Sequence, residues 1–296
     1  MKKNIIVVTG GAGFIGSHLI KSLLDYKKYR IISIDNYSTG KIKNHIIDKR
    51  INYIFSDTNK ISSVLNKYKK YIKVIFHFGE FSRIYQSFKE FDKCYDSNSI
   101  GTKAVFKLCL DNNIKLIYSA TSASLGSKGK DKNLSPYAFT KSKNLELLEN
   151  LKKWFKFKFE IIYFYNVYGP GQIEKGSMAT VIGIFENLYK NKKPLTVVKP
   201  GTQTRKFTHI DDTIAVCFEA WRKNKCFHYS ISHIKSYSII DVAKMFKSKI
   251  IYLKSRPGER YASALTKISQ NNNIIQKYGK INLKDYVTSF IKGTNL

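Results

Sequence analysis

Residues 9–16 read Thr9-Gly10-Gly11-Ala12-Gly13-Phe14-Ile15-Gly16 and lie between an apolar run, Ile5-Ile6-Val7-Val8, and an amphipathic stretch carrying Ile15, Leu19, Ile20, Leu23 and Leu24. This pattern requires a buried strand to turn at once into a helix. Gly10 and Gly11 permit the tight turn, Gly13 lets a pyrophosphate approach the backbone, and Gly16 lets the helix lie close on a sheet. The helix N-terminus then faces the anion, with Phe14 and Ile15 in contact with the same cofactor. The next apolar run, residues 30–34, ends in Asp35. It falls about twenty residues beyond the last glycine, where a carboxylate accepts hydrogen bonds from an adenosine ribose. Asn36 is placed on the same rim. Asp35 favours NAD, because a carboxylate repels a 2′-phosphate, and Lys41 and Lys43 close behind keep NADP as the alternative.

Strand-like runs at 5–8, 31–34, 53–55, 74–78, 116–118 and 161–165 alternate with segments of helical length. That rhythm predicts an α/β protein, a Rossmann-type doubly wound parallel sheet. After Tyr165 it breaks at Asn166-Val167-Tyr168-Gly169-Pro170-Gly171, and short helices near 179–189, 210–222 and 238–246 mix with short strands. The expected organisation is an NAD-binding Rossmann domain over residues 1–166, with a return of the chain at about 207–230, and a smaller C-terminal substrate-binding lobe drawn mainly from 167–296. Ligands of open α/β sheets bind beyond the carboxyl ends of the strands, where such a lobe would cover them.

A net charge of +31 invites a nucleic-acid or membrane-surface reading. The basic residues, however, are dispersed as pairs such as Lys27-Lys28, Lys69-Lys70 and Lys152-Lys153, with no block of like charge and no basic tail. They read as solvated faces, so no nucleic-acid partner is expected and attraction of an anionic nucleotide substrate is a secondary effect. No apolar run approaches the length of about eighteen residues that spans a bilayer, and the first segment lacks a signal-peptide core, so a cytoplasmic location without membrane partners is expected. Cys94, Cys109, Cys217 and Cys226 form no C-x-x-C pair and the histidines no ligand spacing, so no metal is expected and the thiols are read as core residues.

Tyr137 and Lys141 stand four apart, on one face of a helix running to about residue 156, with Pro136 suited to its first turn. An ammonium beside a phenol stabilises the phenolate, and the positive ring of an oxidised nicotinamide lowers its pKa further. A tyrosine tuned in this way takes a proton from a sugar hydroxyl while hydride leaves to the cofactor. Upstream, an apolar strand ends in the hydroxyl cluster Ser119-Ala120-Thr121-Ser122, suited to holding a substrate hydroxyl against the tyrosine. Asn98, on a helix, supplies an amide to continue a proton relay.

In this order the motifs resemble the extended short-chain dehydrogenases, specifically the nucleotide-sugar epimerase/dehydratase family. The resemblance runs from the glycine turn through Asn98-x-x-Gly101-Thr102, Thr121/Ser122 and Tyr137-x-x-x-Lys141 to Asn166-Val167-Tyr168-Gly169-Pro170, Arg205-x-Phe207-x-His209-Ile210-Asp211-Asp212 and Arg256-Pro257-Gly258-Glu259. It implies that Tyr137 is the general base, that Lys141 binds the nicotinamide ribose and tunes Tyr137, and that Thr121 fills the catalytic Ser/Thr position, with Ser122 as the alternative one residue on. It further implies that Asp57 contacts adenine, that Asn166 meets the substrate diphosphate, that Arg205 and Arg256 bind its phosphates, and that the protein is a homodimer. His77-Phe78-Gly79-Glu80 stands where the family often has His-Leu-Ala-Ala. Gly79 and the charged Glu80 depart from that pattern, and His77 reads as a satisfied core histidine.

Dehydratases of the family usually carry a carboxylate directly after the catalytic Thr/Ser; here the stretch is Thr121-Ser122-Ala123-Ser124, which disfavours elimination. The resemblance therefore implies epimerisation of a nucleotide-diphosphate sugar through a transient carbonyl, of the UDP-glucose 4-epimerase type. Residues 168–179 are also similar to a segment of the ADP-heptose 6-epimerases, which would make Lys175 a second acid/base. Further alternatives are a nucleotide-sugar dehydrogenase, reductase or dehydratase and, in a different class, a non-catalytic dinucleotide-sensing or nucleic-acid-associated protein.

Overall fold

The computed structural model describes residues 4–122, 132–255 and 274–294. Its first half alternates strands β1 (Ile5–Thr9), β2 (Arg30–Asp35), β3 (Ile51–Phe55), β4 (Ile72–His77), β5 (Lys115–Thr121) and β6 (Phe159–Phe164) with helices α1 (Phe14–Leu23), α2 (Ile61–Val64), α3 (Ile84–Lys89), α4 (Phe91–Tyr95), α5 (Thr102–Asp111) and α6 (Pro136–Phe155). The second half adds β7 (Val167–Tyr168), α7 (Val181–Lys190), β8 (Leu195–Val198), β9 (Thr204–Lys206), β10 (Thr208–His209), α8 (Ile210–Arg222), β11 (His228–Ser232), β12 (Ser236–Ser238), α9 (Ile239–Met245), β13 (Ile250–Leu253), β14 (Ile274–Tyr278) and α10 (Leu283–Thr294).

An eight-stranded sheet in the order β14-β11-β6-β5-β4-β1-β2-β3 forms the centre, and every pairing in it is parallel. Helices cover both faces. In β1, Ile5 and Val7 point into a core shared with α2, α5 and α6 residues such as Ile61, Phe106 and Leu148, whereas Ile6 and Val8 point into one shared with Leu19 and Ile20 of α1 and Ile214 and Cys217 of α8. A strand buried on both sides needs no polar alternation, which is why residues 5–8 are uniformly apolar. All six strands expected in the first half are present, with β3, β4 and β6 each beginning two residues earlier than the apolar runs suggested. β11 and β14 extend the main sheet rather than belonging to a separate one.

The rest of the second half forms a smaller body beyond the end of β6. Three two-stranded pairs, β7 with β10, β9 with β12 and β8 with β13, combine with α7, α9 and α10 around Phe185, Val197, Phe207, Val242, Phe246 and Val287. The strand order reverses direction of winding between β1 and β4, so the cleft beyond their carboxyl ends is the topological switch point where ligands of such sheets bind.

Candidate active site

A cavity of about 970 Å³ opens at that switch point, bounded on one side by the glycine turn and on the other by the smaller body. Gly10 adopts φ +71°, and a Cβ there would lie 2.8 Å from the Gly79 nitrogen. Gly79 in turn could carry no side chain without coming within 2.9 Å of the Gly10 nitrogen, so its departure from the family pattern serves a backbone-to-backbone approach of β4 and the turn. At Gly16 a Cβ would meet the Gly10 carbonyl oxygen at 2.1 Å, whereas at Gly13, the N-cap of α1, it would meet only that oxygen at 3.1 Å. Gly13 faces open cavity where an anion can approach the helix start.

Gly10, Gly13, Phe14, Ile15, Gly16, Asp35, Asn36, Asp57 and Lys141 all line the cavity. Asp35 is buried; its Oδ2 accepts from the Ala12 amide at 2.9 Å and its Oδ1 from the Tyr37 amide at 2.8 Å. Burial raises its pKa, and these two amides oppose the shift. Asn36 Nδ2 donates to Asp57 Oδ1 at 2.7 Å, which joins the two polar side chains at the rim. Glycine cradle, buried carboxylate and rim amide together fit a dinucleotide.

The chemical groups gather where β4, β5 and α6 meet. Ser135 caps α6 by accepting from the Ala138 amide at 3.1 Å, and Pro136 occupies the first turn. Tyr137, Lys141, Asn144, Leu148 and Leu151 then form one buried stripe, whose polar part faces the strand ends and whose apolar part enters the core. Thr121, the last residue of β5, hydrogen-bonds the Tyr137 side chain. Burial pushes the Tyr137 phenol up to about 12; the Thr121 bond and the nearby Arg83 charge pull it back, while the Glu80 carboxylate raises it. Ser122 lines the cavity next to Thr121.

Asn98 sits in a π-helical turn, Asp96–Gly101, between α4 and α5. Such bulges are costly and concentrate at functional sites. Its side-chain oxygen accepts from the Phe81 amide at 2.7 Å, its Nδ2 donates to the Phe81 carbonyl at 3.0 Å and to Thr140 at 3.3 Å, and its own carbonyl accepts from Asn144 at 2.6 Å. Asn98 therefore links the end of β4 to α6.

His77 is fully buried with both ring nitrogens engaged. Thr9 Oγ1 accepts from the Phe78 and Gly79 amides, so its proton goes to His77 Nδ1 at 2.7 Å; Nε2 then carries the hydrogen toward Thr102 Oγ1 at 2.9 Å. Burial lowers its pKa from 6.5 to about 4. A histidine neutral when folded and protonated when unfolded lowers stability as pH falls from about 6.5 to about 4. Urea unfolding at pH 7 and pH 4.5 should show a loss of about 2 kcal/mol from this residue alone. A slope equally steep in His77→Asn would assign the loss to other groups.

The remaining expected residues are spread along the cavity. Asn166, at φ +37°, donates to the Lys206 carbonyl at 2.8 Å, and it and Arg205 line the wall formed by the smaller body. Arg256 and the motif 256–259 lie outside the described residues, as do residues 123–126. Lys175 is exposed and is not brought to the cavity: Thr180, Gln172 and Glu186 hydrogen-bond in series, pinning the loop with Lys175 on its outer side. Arg83, one of many basic residues in the sequence, was not singled out there. It clamps that loop by donating from Nε and Nη2 to the Met178 carbonyl at 2.9 and 2.6 Å. Among the described residues no group of His, Cys, Asp and Glu is arranged to hold a metal, and no helix is long and apolar enough to cross a membrane.

Comparison with known proteins agrees with this fold. Residues 6–232 match the model of the NAD dependent epimerase/dehydratase family. The chain belongs to that family. Members are enzymes of the extended short-chain dehydrogenase type, and the Rossmann-type fold is theirs. An uncharacterized UDP-glucose epimerase of Bacillus subtilis is 32% identical over 229 residues, covering 71% of this chain and 70% of that protein. The ADP-L-glycero-D-manno-heptose-6-epimerase of Brachyspira hyodysenteriae is 32% identical over 263 residues, covering 82% and 80%. Among solved structures, the UDP-glucuronic acid 4-epimerase of Bacillus cereus, in complex with UDP-glucuronic acid and NAD, superposes with a TM-score of 0.81 at 28% identity, covering 98% and 99%.

Proposed function

We propose that this family member is an NAD-linked 4-epimerase of a nucleotide-diphosphate sugar, of the UDP-sugar type. The observation that carries the reading is that Thr121, Tyr137 and Lys141 line one cavity, with Thr121 bonded to Tyr137 and Ser122 rather than a carboxylate following Thr121. Elimination needs a carboxylate in reach of substrate, and Glu80, whose charge acts on Tyr137, is 2% exposed and already paired. When bound, the nicotinamide dinucleotide supplies a reversible hydride acceptor. Tyr137, as phenolate, removes the proton of the sugar hydroxyl while Thr121 orients that oxygen. Lys141 stabilises the phenolate and presents its ammonium to the cofactor ribose. After the sugar turns in the cavity, Tyr137 returns the proton to the same oxygen, so that the hydroxyl is restored on the inverted carbon. Asn166, Arg205 and Arg256 hold the diphosphate by charge-assisted hydrogen bonds throughout. NAD is preferred over NADP because the Asp35 carboxylate lines the ribose end.

The 6-epimerase alternative relies on Lys175 as a second base, and its outward placement counts against it. Residues 167–296 chiefly form the substrate lobe in this reading, and two copies pair through the apolar side chains that α4 and α6 expose, Phe91, Tyr95, Phe139 and Trp154.

The test is incubation with UDP-, GDP-, ADP- and CDP-sugars in deuterium oxide, followed by proton NMR. The expected product is a C4 epimer of a UDP-sugar with no solvent deuterium at C4, because hydride returns from the cofactor. Deuterium at the inverted carbon, or inversion at C6 of an ADP-heptose alone, would overturn the reading.

A further inference from the structure

The Glu80 carboxylate is the least expected group in the site, since the resembled family often has an apolar residue there. Its side chain is 2% exposed and that of its partner Lys141 is 4% exposed. Oε2 forms an ion pair with Lys141 Nζ, and Oε1 accepts from Thr102 Oγ1 at 2.9 Å and from Tyr118 Oη at 3.1 Å. Lys141 Nζ also donates to the Ser119 carbonyl at 2.6 Å and stands 4.9 Å from the centre of the Tyr118 ring. Asn144 supports the arrangement by donating to Tyr118 Oη at 3.1 Å. Behind Thr102 the chain of hydrogen bonds continues through His77 to Thr9, directly before the glycine turn.

We propose that Glu80 is a positioning residue for the reaction: its buried carboxylate keeps Lys141 protonated and holds the ammonium between the Ser119 carbonyl and the Tyr118 ring, one helical turn along α6 from Tyr137. The physical need is plain. A buried ammonium with a carbonyl and a ring as its other neighbours is costly and sheds its proton, whereas a carboxylate within contact distance keeps it charged. Burial indeed pulls Lys141 below the ordinary lysine value, and Glu80 is what opposes it. Glu80 lines the cavity, but its carboxylate is 2% exposed and both oxygens are already occupied, by Lys141 on one and by Thr102 and Tyr118 on the other. The other titratable groups facing this cluster are His77 from β4, Arg83 before α3, Cys94 from α4, Tyr118 from β5 and Tyr137 from α6. Of these Arg83 alone is cationic at neutral pH, and it lies on the Tyr137 side.

The inference rests on the Tyr137/Lys141 assignment and not on the identity of the sugar, so the decisive measurement uses no substrate. The Lys141 Nζ signal in 15N-lysine-labelled protein, identified by its loss in Lys141→Met, is titrated in wild type, Glu80→Gln and Thr102→Val. Its midpoint is expected to fall by about two units in Glu80→Gln and by under about half a unit in Thr102→Val, which breaks the link to His77 but keeps the charge. Once a substrate is in hand, the rate of Glu80→Gln should acquire an alkaline limb at the same midpoint, with kcat reduced more than KM. If Glu80→Gln does not fold, Glu80→Asp replaces it, because withdrawing the carboxylate by one methylene must lower the midpoint in the same direction. An unchanged midpoint, or equal shifts in the Glu80 and Thr102 variants, would overturn the proposal.

Discussion

Tyr137→Phe is expected to lower turnover by about a thousandfold or more, the range lost when a positioned general base is removed, while NAD affinity stays within about threefold of wild type. The ring is 92% buried against Cys94, Ala138 and neighbours, its residue exposure being 8%, and phenylalanine fills the same volume. What disappears is the oxygen that Thr121 orients. Burial holds that phenol protonated at neutral pH, so kcat/KM of the wild type should rise with pH as the base form becomes available. Stopped assays with the preferred sugar nucleotide, together with calorimetric titration of NAD, separate the two effects. A variant that kept a tenth of the wild-type rate would remove Tyr137 from the reaction.

The second large effect is expected at Gly16. An alanine Cβ there would meet the Gly10 oxygen at 2.1 Å and the Gly11 Cα at 2.8 Å, both backbone atoms, so the turn itself must move. Gly16→Ala should weaken NAD by about a hundredfold, equivalent to about 2.7 kcal/mol, and reduce folding stability by about 1–3 kcal/mol as overpacking does. Gly13→Ala is the informative contrast. Its Cβ meets only one atom, at 3.1 Å, and otherwise faces the cavity. Thermal unfolding of that variant should match wild type within a few degrees, while its NAD titration shows the loss. Equal destabilisation of both would mean that the glycines serve the fold and not the cofactor.

The sequence alone determined what depends on local order along the chain. Uniformly apolar residues 5–8 followed at once by the glycine turn leave a buried parallel strand and a close-packed helix as the workable outcome, and that is β1 and α1. Helical spacing likewise put Tyr137 and Lys141 on one face, and the hydroxyl run marked the end of β5. Departures from pattern were visible too, at Gly79 and Glu80, but not their meaning. Nothing local says that Gly79 must admit the Gly10 backbone, since the two are separated by three strands' worth of chain.

The tertiary structure decided which charged groups face one another. Glu80 and Lys141 are 61 positions apart and meet only because β4, β5 and α6 converge, and with 52 Lys and Arg in the chain no spacing rule could have selected that partner. The same convergence bonds Asn98 to Phe81 and Thr140 through a π-helical turn that carries no compositional mark. It also turned Lys175 outward, because the hydrogen bonds from Thr180 through Gln172 to Glu186 hold the loop that carries it. Periodicity records which face of an element is buried; it does not record which element will lie against that face, and the electrostatics of this site depend on the second.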